Sequence, residues 1–189
     1  MMQVKPYPGM LITQDVRFEA GEYDFSGSEG IIISGDNITL DGNVAFLRGG
    51  CVKTGQGESS RTKAFSYAPK LAEDNGRSLG FFGTGIAIEG RNGVTVRNLR
   101  IAGFDQGLRV EYCRKIAIEN CDFSDCFHDP AWDWDEHGCH GGILMSHTSE
   151  SRVRNCKANR VWDALNLRHS HDNVIEYNDF SHTSDTALK

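Results

Sequence analysis

Residues 126–142, CFHDPAWDWDEHGCHGG, hold three histidines, two cysteines, two tryptophans, three aspartates and a glutamate within seventeen positions. Two chemistries are open to such a stretch. Cys126, His128, His137, Cys139 and His140 are donor types that suit zinc or copper, although the spacing of CFH and HGCH matches no established zinc signature. Trp132 and Trp134 beside Asp133, Asp135 and Glu136 instead supply flat apolar faces with directional acceptors, the combination a polysaccharide groove uses. The second chemistry is preferred, and no metal or other cofactor is expected. The acidity of the stretch disfavours a polyuronate unless Ca²⁺ bridges the charges. The plain alternative is that one tryptophan folds back as a lid over apolar surface.

Which chemistry is available depends on what holds the stretch. Four segments align: GIAIEGRNGVTVRNLRIAGF from Gly85, GLRVEYCRKIAIENCDFSDC from Gly107, GILMSHTSESRVRNCKANRV from Gly142 and ALNLRHSHDNVIEYNDFSHT from Ala164. They begin 22, 35 and 22 residues apart, so the middle interval is one repeat plus thirteen residues, and those thirteen lie in the quoted stretch. A less regular copy, GIIISGDNITLDGNVAFLRG, starts at Gly30. Short alternating strands with turns, and no helical segment between them, predict a solenoid of parallel strands with one repeat per coil.

Stacked coils must present compatible columns. Arg97, Glu119, Arg154 and Glu176 alternate in sign, as do Arg100, Asp122, Lys157 and Asp179. Opposite charges facing each other on adjacent strands stabilise a sheet and like charges destabilise it. Val96, Ile118, Val153 and Ile175 form an inward column, with Ile101, Phe123, Ala158 and Phe180 as another. Asn98, Asn120 and Asn155 fall at one corner, followed by Tyr177, and predict a hydrogen-bonded side-chain ladder. Cys113, Cys121 and Cys156 read as small packed thiols without disulfides.

With these repeats and columns the sequence resembles the right-handed parallel β-helix proteins of the pectate-lyase-like superfamily, especially bacterial β-helix repeat proteins of the NosD or carbohydrate-hydrolase type. The resemblance covers about residues 30–189. It implies an all-β, single-stranded right-handed parallel β-helix, and it leaves function open, because the fold hosts lyases, hydrolases, epimerases, adhesins and binding proteins. It also implies, as the least favoured function, a metal-handling protein. One domain is expected over 1–189, with an N-terminal cap at 1–29 and insertions at 51–84 and 127–141. The final SDTALK repeats the beginning of WDALNLR, so further C-terminal coils are expected beyond it.

Both insertions precede the same type of strand, before Ile86 and before Ile143, so a solenoid would raise both on one edge. Outward residues on those strands are Arg109, Glu111, Asn166 and Arg168, with Tyr112, His147 and His169 stacked at the strand ends. For hydrolysis, two carboxylates must flank the scissile bond, about 5 Å apart for retention and roughly 6.5–9.5 Å for inversion. Asp163 is the best candidate, with Asp185 one coil later and Trp162 beside it; Arg168 with His169 would serve a uronate lyase. Trp132, Trp134, Asp133, Asp135, Arg109, Glu111, Asn166, His147 and Trp162 are the expected substrate contacts. The leading function is a carbohydrate-active enzyme, a glycosidase, lyase or epimerase; the alternative is a non-catalytic carbohydrate-binding or structural solenoid.

Composition narrows the partners. Net charge is −6 with no basic stripe, which disfavours nucleic acid and anionic membrane. No apolar run reaches spanning length, and MMQVKPYPGM lacks the apolar core of a signal peptide. The partner expected is a polysaccharide or oligosaccharide.

Overall fold

The computed structural model describes residues 1–50, 81–128 and 140–189. Within them sixteen short strands, numbered in chain order, pair in parallel and form three sheets. Sheet 1 stacks β2 (Leu11–Ile12), β5 (Ile31–Ile33), β8 (Thr84–Glu89), β11 (Gln106–Glu111), β13 (Gly141–Ser146) and β15 (Asp163–Arg168). Sheet 2 stacks β1 (Met2–Val4), β3 (Val16–Phe18), β6 (Thr39–Asp41), β9 (Thr95–Arg97), β12 (Ala117–Glu119), β14 (Arg152–Arg154) and β16 (Val174–Glu176). Sheet 3 holds β4 (Glu22–Asp24), β7 (Phe46–Arg48) and β10 (Arg100–Ala102). The chain passes through sheets 1, 2 and 3 in turn and then starts the next coil. This is the right-handed parallel β-helix expected from the repeats. Residues 2–24, assigned above to a cap, already supply strands to all three sheets.

The register follows the sequence columns. Asp41, Arg97, Glu119, Arg154 and Glu176 pair in succession, and Arg17 extends the alternation at the N-terminal side. Arg97 reaches Asp41 at 3.1 Å and Arg154 reaches Glu176 at 3.7 Å. Burial opposes ionisation of Asp41, but hydrogen bonds from Asn98, the Asn43 amide and Arg97 outweigh it and hold the carboxyl below its usual range. The second charged column also stacks as expected, through the bridges Arg100–Asp122, Asp122–Lys157 and Lys157–Asp179.

Branched and aromatic side chains alternate inward, and each buried Ile, Val, Leu or Phe contributes about 1.5–3 kcal/mol of transfer free energy. Leu40, Val96, Ile118 and Val153 line the interior from sheet 2, while Ile86, Leu108, Ile143 and Leu165 line it from sheet 1. Cys113, Cys121, Cys126 and Cys156 are buried free thiols packed in this core. The coils sit so close that a Cβ added at Gly142 would lie 2.5 Å from the Ala164 carbonyl oxygen.

The asparagine corner has a different basis from the ladder expected. Asn98, Asn120, Asn155 and Tyr177 share a left-handed backbone, with φ of 56, 54, 52 and 57°. Asparagine tolerates that conformation better than other non-glycine residues. The Asn98 amide donates to Asp41 Oδ1 at 3.0 Å. Backbone geometry unites the column.

Candidate functional site

The turn that enters sheet 1 stacks polar residues coil upon coil. Its backbone ladder runs from the Gly141 amide to Asp105 O at 2.9 Å, from the Asp163 amide to His140 O at 3.2 Å, and from the Asp185 amide to Trp162 O at 3.1 Å. The turn therefore brings together Asp105 and His140, which share one phase, with Asp163 and Asp185 one position further on, although these residues are up to 80 apart in sequence.

Asp163 is 1% exposed. Its Oδ2 accepts a hydrogen bond from Asn166 Nδ2 at 2.9 Å, while Oδ1 is buried with no hydrogen-bond partner among the described residues. Burial raises its pKa above the ordinary carboxyl value, and the neighbouring Asp185 carboxyl adds to the rise; Asn166 and Lys189 oppose it without cancelling it. Asp185, whose side chain is also buried, accepts from Lys189 Nζ at 3.3 Å. His140 Nδ1 lies 2.9 Å from Asp105 Oδ2. Burial disfavours the imidazolium, but the Asp105 carboxylate, with a further contribution from Asp163, leaves its pKa raised.

The feet of the two insertions meet at this edge. The Phe81 and Phe127 rings lie 5.6 Å apart, Phe127 lies 4.8 Å from the His140 ring, and Trp162 packs edge-on against Phe127 at 6.3 Å. Trp162 is 1% exposed, so its ring is an internal prop and not the surface contact expected. The other expected contacts on the insertion, Trp132, Asp133, Trp134 and Asp135, lie outside the described residues, as do His137 and Cys139. Cys126 faces the core, where its Sγ donates to Ile101 O at 3.7 Å, which removes it from any ligand set on the loop. Among the described residues no group of three or more His, Cys, Asp or Glu could hold a metal ion.

Beyond the turn, Arg109 pairs with Glu111 at 3.0 Å, and Arg168 Nε approaches Asn166 Oδ1 at 3.4 Å. Asn166 is buried although it belongs to the outward column. At the far ends of the strands the Tyr112 and His147 rings stack at 4.7 Å, and His147 and His169 at 4.8 Å. His169 thus belongs to an exposed corner stack, with Arg168 directly before it. Asp105 escaped the sequence reading, and His140 entered it only as a metal ligand. Their common position, one residue before Gln106 and Gly141, was the available signal. An open depression of about 490 Å³ lies elsewhere, at the N-terminal coil between Lys5, Tyr7, Glu19 and Tyr23.

Comparison with known proteins bears on the fold. A family model described as the right handed beta helix region matches residues 84–189. The crystal structure of a protein from Parabacteroides merdae, described as a putative glycosyl hydrolase, is similar with a TM-score of 0.57 at 13% identity, covering 88% of this chain and 73% of that one. No curated protein matches the chain.

Proposed function

The chain belongs to the right-handed β-helix family, and from that premise we propose that it hydrolyses glycosidic bonds in a polysaccharide laid across sheet 1. The fold alone does not carry a function, so the reading rests on the site. One observation supports it above the others: Asp163 and Asp185 occupy the same turn on consecutive coils, and burial raises the Asp163 pKa above the ordinary carboxyl value. A carboxyl whose pKa is raised suits a general acid, and the neighbouring ion-paired carboxylate would serve as nucleophile. In this reading Asp163 protonates the leaving oxygen through Oδ1, Asp185 attacks the anomeric carbon, and Asp163 then activates the water that releases the product. Because Asp163 is buried, the substrate must part the covering turn to receive the proton. Arg109, Glu111 and His147 contact the bound chain.

The test is reducing-sugar release from a polysaccharide panel, with the anomeric configuration of the first product followed by NMR. Retention, lost in both Asp163→Asn and Asp185→Asn, is the expected result. Release of unsaturated products would move the chemistry to Arg168 and His169. Binding without turnover would make the protein a carbohydrate-binding solenoid. Stoichiometric copper or zinc in the purified protein would favour metal handling.

A further inference from the structure

Sheet 1 ends at a corner that holds one left-handed residue per coil: Gly90, Tyr112, His147 and His169, with φ of 63, 53, 50 and 47°. Left-handed backbone is ordinary for glycine and uncommon for aromatic residues. Here the three rings stack at 4.7 and 4.8 Å, which equals the rise between coils, so the stack runs along the solenoid axis. His147 covers one face of Tyr112, at an interplanar angle of 18°. The opposite face looks toward the coil of Gly90, where the ladder lacks a rung. A Cβ built on Gly90 meets nothing within 4 Å, and Tyr112 is 62% exposed.

The rim of this gap is polar. Glu89 and Glu111 are register partners on β8 and β11, a like-charge pair where the structural columns alternate in sign. Glu111 is held by Arg109 at 3.0 Å, Glu89 is exposed, and Arg91 Nε donates to the Glu89 carbonyl at 3.0 Å. We infer that the gap is a sugar-stacking subsite in which a neutral pyranose ring supplies the missing rung over Gly90. Its apolar face lies on Tyr112 and its rim hydroxyls donate to Glu89 and Glu111. A flat aromatic ligand has no use for two carboxylates at its edge, and a uronate would bring a third negative charge to them. The subsite rests on the proposed reading of a polysaccharide on sheet 1 and deepens it. It lies at the opposite end of the strands from Asp163, roughly 20 Å away for six residues at about 3.3 Å each. It would anchor the chain several sugar units from the reacting bond.

The repeat itself suggests the decisive variant. Histidine is accepted in this conformation at 147 and 169, so Gly90→His should fold and fill the gap with the protein's own ring. A glycan array of neutral and uronic oligosaccharides identifies the best-bound neutral oligosaccharide, and calorimetry measures it against the variants. Gly90→His and Tyr112→Ala should each weaken binding by about tenfold or more, equal to at least about 1.4 kcal/mol. Tyr112→Phe, which keeps the ring face, should stay within about twofold, or roughly 0.4 kcal/mol. Should Tyr112→Ala fail to fold, Gly90→His and Tyr112→Phe decide the matter. Wild-type binding that is indifferent to Gly90→His overturns the subsite and leaves the polysaccharide reading standing. Equal losses in Tyr112→Phe and Tyr112→Ala, or selection of uronic over neutral chains, also overturn it. A wild type that binds no glycan removes the reading and the subsite together.

Discussion

Replacing Asp163 by Asn separates what the carboxyl does for chemistry from what it does to stability. The wild-type group is 1% exposed, and its Oδ1 has no hydrogen-bond partner among the described residues. A buried polar atom left in this way costs about 1–3 kcal/mol. The amide of Asp163→Asn keeps an oxygen for the Asn166 donor and turns an N–H toward the Asp185 carboxyl, removing the orphan and the like-charge contact together. The variant should therefore gain about 1–3 kcal/mol at neutral pH, raising the melting temperature of a chain this size by roughly 2–12 °C. The sign depends on pH. The folded pKa is raised above the ordinary 3.8, so the stability Asp163 contributes is complete below 3.8 and is lost as pH rises through the folded value. The advantage of the variant should accordingly vanish in acid and grow toward neutrality. Activity should move the other way, falling about 10²–10⁴-fold with the general acid removed. Differential scanning calorimetry from pH 3 to 8, with reducing-sugar assays on the same samples, measures both. A variant less stable at pH 7 than the wild type would refute the buried-acid argument, and unchanged turnover would refute the catalytic role.

Three further outcomes are expected. Glu119→Lys places a third cation between Arg97 and Arg154, costing about 0.2–1 kcal/mol per facing pair, and denaturant titrations should show the loss shrinking in high salt. Thiol titration should leave at least four of the six cysteines unreactive in the native protein and expose all six in denaturant, because burial pushes the Cys113 and Cys126 thiols up and shields Cys121 and Cys156. His140 has a folded pKa raised above 6.5, so its stabilisation is full below 6.5 and declines as pH rises through the folded value. Asp105→Asn should lose about 1.5–3 kcal/mol near pH 6, with a gap to wild type that narrows above the His140 titration seen by NMR.

The solenoid was legible because period and register are both written in side chains. The 22-residue spacing sets which residues meet, and the alternating column at Arg97, Glu119, Arg154 and Glu176 fixes the pairing. Asp163 and Asp185 could be placed together because they share one phase. Asp105 lies one position earlier in its coil, in phase with His140, and nothing in its local sequence distinguishes it from a solvated turn aspartate until the His140 ring is set 2.9 Å away. Trp162 was misjudged for a related reason: exposure is a property of what packs on a turn, and Phe127 approaches it from 35 residues away. The asparagine corner was located correctly and explained wrongly, since stacking of amides and tolerance of left-handed backbone select the same residue.

The unequal sequence distances between stacked coils also set an order of assembly. Neighbouring coils join residues 22 apart at Arg91 and Cys113 and 35 apart at Ile116 and Ser151. Across the first insertion, Asp41 must find Arg97 from 56 residues away. Loop closure grows by about 0.6 kcal/mol per doubling of length, so this junction carries an entropic handicap of roughly 0.8 kcal/mol over a 22-residue one. The coils from β8 onward should nucleate first and template the docking of the N-terminal coils. Mutations in β12 should slow refolding, whereas those in β3 and β6 should mainly speed unfolding. The junction that spans the first insertion would then also be the latest seam to close.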